Sequence, residues 1–178
     1  MPRALPSPFG GFLMPNTYTL ISAVTVGAGG AASIDFTSIP STYTDLCIKV
    51  SVRDGDNNWV SNMKFNGTNG SSRYIQGNGA SASSGNETDM RFIVNSSGST
   101  ASTFGNAEIY IPNYANTSYN KSVSIDAVSE ANATTAYMRM IAALWSSTAA
   151  INQITLTNVV SGNIPQYSTA YLYGVKNA

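Results

Sequence analysis

The run Asp54-Gly55-Asp56-Asn57-Asn58 has the alternating acids with which a calcium loop begins. An EF-hand would go on to place glycine at its sixth position and glutamate at its twelfth, where Trp59 and Phe65 stand here. The run is therefore read as a hydrophilic hairpin between Val52 and Trp59, with a looser metal site left open. A pair of carboxylates is the second arrangement with chemistry in it. Asp89, Glu108, Asp126 and Glu130 fall on or beside strand-like runs, and two such groups could cleave a glycosidic bond. Spacing alone does not bring two of them face to face, so solvated or structural carboxylates are the plainer reading. The chain has no histidine, which excludes Ser-His-Asp and Cys-His nucleophiles and histidine-ligated zinc. Gly27-Ala28-Gly29-Gly30 lacks the Lys-Ser/Thr ending of a phosphate loop and reads as a turn. No catalytic, cofactor or metal-ligating residue is assigned, and a protein other than an enzyme is expected.

Aromatic side chains are the next candidates. Tyr43, Trp59, Tyr74, Tyr114 and Tyr119 fall in or beside polar segments. Rings there could stack on sugars or lie at subunit contacts, where Tyr and Trp are enriched. Trp59, Tyr74, Tyr114 and Tyr119 are taken as surface-loop contacts, and Trp145, in an apolar run, as core. Asn-X-Ser/Thr triplets at Asn66, Asn69, Asn86, Asn95, Asn116, Asn120 and Asn132 follow by chance from the abundance of these residues and mark exposed loops. The single cysteine, Cys47, can form no intrachain disulfide. It is read as a small strand residue, with an intermolecular bridge as the alternative.

The elements that must position these residues are strands. Thr44–Arg53 alternates Leu46, Ile48, Val50 and Val52 against Cys47, Lys49, Ser51 and Arg53, the pattern of a strand with one face buried. Similar signals occur at Tyr18–Val26, Ser33–Ile39, Trp59–Asn66, Asp89–Asn95, Phe104–Pro112, Lys121–Val128, Thr135–Trp145, Ile151–Val159 and Ser168–Lys176. Thr135–Leu144 could suit a helix by composition, but the alternation of Met138, Met140, Ala142 and Leu144 favours a strand. Gly67–Gly85 reads as loops around one short strand at Tyr74-Ile75. Roughly nine to eleven strands with turn-rich connections indicate an all-β fold, an antiparallel sandwich or barrel.

Composition narrows the role. Charged residues are 10% of the chain and formal net charge is zero, against about 25% charged in an ordinary domain. The nine Lys and Arg are scattered, so no nucleic-acid partner is expected. No apolar run reaches the ~18 residues of a membrane helix, and no membrane partner is expected. Residues 1–16 form a Pro/Gly-rich arm carrying Phe9, Phe12, Leu13 and Met14. Proline denies this segment helix and inner-strand roles, and its apolar residues suit it to lie on a neighbouring surface or to fold back on its own domain. It lacks the continuous apolar run of a secretory signal, so synthesis in a cytoplasm without export by the usual route is expected. Residues 17–178 are read as one β domain.

The segments YTLISAVTVGAGGAASIDFTSIPSTYTDLCIKVSVRD, AEIYIPNYA, KSVSIDAV, AALWSSTAAINQITLT and STAYLYGVKNA resemble small β-sandwich proteins of tailed bacteriophages, notably those of marine bacteria and cyanobacteria. The resemblance covers most of the chain beyond Pro15 and brings no catalytic residues. It implies an antiparallel, jelly-roll-like β-sandwich with an extended N-terminal arm, located at the surface of a virion. The expected role is that of a capsid decoration (cement) protein, a homotrimer that binds the major capsid protein through its arm and a sheet edge. A receptor- or carbohydrate-binding module of a tail fibre is the alternative, with a glycan as partner.

Overall fold

Alternation of the kind seen at Leu46–Val52 recurs along the chain, and each such run forms a strand. The computed structural model describes residues 17–130, 136–160 and 162–176. Among these are twelve strands and no helix. They are β1 (Tyr18–Thr25), β2 (Ser33–Phe36), β3 (Asp45–Val52), β4 (Val60–Phe65), β5 (Ser71–Gly77) and β6 (Ala82–Glu87), followed by β7 (Met90–Ile93), β8 (Gly105–Ile111), β9 (Lys121–Ser129), β10 (Tyr137–Trp145), β11 (Ile154–Asn158) and β12 (Thr169–Val175). The expected arm, with Phe9, Phe12, Leu13 and Met14, lies outside the described residues.

Eight strands form one antiparallel sheet in the order β1-β12-β3-β8-β9-β10-β5-β6, and four form a second in the order β2-β11-β4-β7. The two share one buried apolar core, so the arrangement is all-β and sandwich-like. Strand register explains that core. Leu172, Ile48, Ile109, Ile125, Ile141 and Tyr74 are successive cross-strand partners, forming a row on the inner face of the large sheet. Phe36, Met63, Phe65, Phe92, Ile154 and Leu156 of the small sheet are buried with them. Cross-strand pairs of branched and aromatic side chains are the stabilising unit of such sheets.

Two sequence expectations change, and the facing of β10, which the sequence left open, is decided. The run 54–58 is not a hairpin: β3 and β4 belong to different sheets, so it is a crossover, and Asp54 within it is fully buried. In β10 the core-facing residues are Arg139, Ile141, Ala143 and Trp145, whereas Met138, Met140, Ala142 and Leu144 face outward. Both sets alternate, and alternation alone does not say which set is inside. Strand β6, of sequence ASSGNE, emerges from what reads as loop. It pairs with β5 across a turn in which the Asn78 side-chain oxygen accepts N–H bonds from Ala80 and Ser81 at 3.0 and 2.7 Å. The Tyr74 ring lies over Gly85, its cross-strand partner, in the space a Cβ would need.

Candidate interaction surface

Met138, Met140, Ala142 and Leu144 of β10 and Ile75 of β5 are turned away from the core and form an apolar strip, with Arg73 opposite Ala142 at its border. Met138, Met140 and Leu144 are 59%, 60% and 41% exposed, and Ile75 of β5 is 61% exposed. Ile75 and Met140 are direct cross-strand partners. Together with Gly77, Gly79 and Ala82 they line a shallow groove whose walls are almost wholly carbon. Isolated exposed apolar residues are ordinary, whereas a contiguous patch marks a contact surface. Methionine suits such a surface because its unbranched thioether adapts to irregular partners.

The strip continues into a polar row on the same face. From Met140 the register runs to Asp126, Glu108, Lys49 and Tyr171. Glu108 and Asp126, open in the sequence as a possible carboxylate pair, are thus cross-strand neighbours. Both are exposed on an open sheet face, and Lys49 donates to Glu108 at 2.6 Å. That hydrogen bond holds the Lys49 ammonium above its usual range. The other acids singled out are arranged differently. Asp89, with Glu87, pairs with Arg91 at 2.8 and 3.0 Å, and Glu130 follows the end of β9.

The loop aromatics divide. Tyr119 is 45% exposed, beside Lys121. Trp59 is partly buried, stacked on Tyr137 with ring centres 4.9 Å apart. The Arg139 guanidinium lies 5.1 Å from the Trp59 ring centre and 3.8 Å from that of Tyr74. Gln76 accepts two N–H bonds from Arg139 at 2.9 and 2.5 Å. Burial lowers the pKa of this guanidinium, and the rings around it provide the compensating π-faces. Tyr114 corrects the reading outright: it is fully buried and its hydroxyl donates to the Pro40 carbonyl. A side chain closed within the core cannot meet a partner at the surface.

Trp145 lies in the core as expected, edge-on to Phe65, with its N–H donated to Thr68 at 2.7 Å. Sequence reasoning missed Arg139, since an arginine inside an apolar strand gives no sign of the rings that will receive it. Nor does Asn95 mark an exposed loop. It is buried, donating to Thr103 and to the Glu130 carbonyl at 2.8 Å each. Cys47 is buried also. Desolvation, with a smaller push from Glu108, raises its thiol to about 11, which leaves no thiolate at the surface for an intermolecular bridge.

Among the described residues no three Cys, Asp or Glu side chains gather to hold a metal, and no helix is long and apolar enough to cross a membrane. Comparison of the chain with models of protein families, with curated proteins and with solved structures finds no match.

Proposed function

We propose that this chain is a structural protein of a tailed-phage particle, a capsid decoration protein that binds the outer shell as a homotrimer and stabilises it. The observation that carries the reading is the apolar strip of Ile75, Met138, Met140 and Leu144 on the sheet formed by β10 and β5. A protein with 10% charged residues has little electrostatic steering to offer a partner. Apolar burial, with backbone hydrogen bonds at a sheet edge, is then the main source of affinity. The major capsid protein is the proposed partner, the particle surface the proposed location, and residues 1–16 a second contact.

We further read the fold as an extended jelly roll. The orders β1-β12-β3-β8 and β2-β11-β4-β7 support this, because each pairs early strands with late ones as two nested Greek keys do. On this reading β9, β10, β5 and β6 are an added wing, and the wing carries the apolar strip. The glycan-binding alternative finds less support, since the rings of Trp59 and Tyr74 are engaged by Arg139.

The test is binding of the purified protein to shells lacking it. Met138→Ser with Met140→Ser should weaken decoration at least tenfold while leaving the fold intact. Deleting residues 1–15 should weaken it separately. Full decoration by both variants would sink the proposal, as would a particle map that places the chain on the tail.

A further inference from the structure

The crossover from β3 to β4 and the loop from β11 to β12 press together at two glycines. At Gly55 the space of a Cβ is taken by the Asn163 carbonyl oxygen, and at Gly162 by the carboxylate of Asp56. A side chain at Gly55 would meet the Asn163 backbone and force the loops apart, whereas one at Gly162 would displace the Asp56 carboxylate. What this close approach brings together is acceptor oxygen. Asp54 is fully buried; its Oδ1 accepts the Asp56 N–H at 2.7 Å, and among the described residues its Oδ2 finds no donor. The Oδ2 of Asp56 is buried against Gly162 and likewise finds none among them. Asn158, 9% exposed, donates its amide N–H to the Gly162 carbonyl at 3.2 Å, which leaves its own Oδ1 buried without a donor. Ser61, the cross-strand partner of Asn158, adds a further buried oxygen with no partner.

Among the described residues neither Asp54 nor Asp56 has a cation paired with it. Arg53, adjacent to Asp54 in sequence, spends its guanidinium on the carbonyls of Ser97, Ser99, Thr100 and Thr103 at 2.7 to 3.0 Å. Among the described residues the side-chain ion pairs involve only Lys49 and Arg91 as cations. A buried acceptor without a donor is costly, and a buried charge without a counter-charge more so. One cation bound between the two segments would give the Asp54 and Asp56 carboxylates a counter-charge and the Asn158 Oδ1 a partner.

We infer that Asp54, Asp56 and Asn158 form a calcium site that staples the β3–β4 crossover to the β11–β12 loop. The donor atoms are all oxygen, which suits a hard cation and not zinc or copper. The ligands come from the crossover and from the last residue of β11, not from one purpose-built loop. Calcium tolerates that, with water completing six to eight ligands, whereas magnesium demands near-ideal octahedral geometry. Because the ligands lie on two segments about a hundred residues apart, the EF-hand spacing fails even though the first two acids fit it.

The test uses the intact protein stripped with EDTA and then titrated with calcium, followed by thermal melting and by terbium luminescence excited through the aromatic residues. Calcium should raise Tm progressively with concentration, and terbium should bind and be displaced by calcium. In Asp56→Asn and Asn158→Ala both responses should be lost while circular dichroism in EDTA stays native. Equal Tm in EDTA and in millimolar calcium would overturn the proposal. So would an undiminished rise in Asp56→Asn, and an equal rise with magnesium would overturn the assignment of the ion.

Discussion

Burial pushes the Asp54 carboxyl up from 3.8 to about 6, with the charge of Asp56 adding to the rise and the Asp56 N–H opposing it. The folded protein therefore holds a proton across this window that the unfolded chain has released. Its stability falls as pH rises through the window, and the cost is complete above it. In EDTA, Asp54→Asn should thus melt higher than the parent at about pH 7.5, with the gap closing towards about pH 4; melting curves at the two pH values check this. Cys47 makes a second residue-scale prediction. Its thiol, held up at about 11, should resist Ellman's reagent near pH 8 in the native protein and react fully in denaturant. Neither property is legible in the sequence, where Asp54 looks like a loop acid and Cys47 like any small strand residue. Both depend on what other strands bring over them.

At the scale of elements, β10 is the informative case. Its identity as a strand is legible, but its orientation is not, because Met138-Met140-Leu144 and Ile141-Ala143-Trp145 are alternating apolar sets of similar character. The neighbours decide: Ile141 lies opposite Ile125 and Met140 opposite Asp126. Ile141→Ala should accordingly cost about 2–5 kcal/mol, whereas Met140→Ser should change stability by less than about 0.5 kcal/mol. Chemical denaturation of both variants measures the difference, and equal costs would mean that the strip is covered within the chain itself. Strand β3 and its core face of Leu46, Ile48, Val50 and Val52 were legible because Lys49 and Ser51 label the other face, although Cys47 on that face is buried. Strand β6 was not, because its pairing rests on the Asn78 turn and the Tyr74–Gly85 contact, with no apolar pattern of its own. Trp59→Ala removes the stack on Tyr137 and a face from Arg139, and should destabilise by about 2 kcal/mol, less than for a fully buried ring.

For the whole molecule, the all-β class follows from composition and alternation, but the division of the strands into sheets of eight and four does not, since it depends on long-range pairings that no local signal specifies. If the outer strip makes the contact, association with shells should change little as ionic strength rises, because so few charges are available to be screened; a salt series on decorated shells measures it. The pairing of early with late strands has a kinetic consequence. With β1 hydrogen-bonded to β12 and β2 to β11, a nascent chain on the ribosome cannot complete either sheet until residues 154–175 have left the exit tunnel. Until then β3 lacks the neighbour that separates it from β1, and both present unpaired backbone to other nascent chains on the same message. Folding should be slow, in the millisecond-to-second range typical of non-local β topologies, and most prone to aggregation when synthesis is fastest.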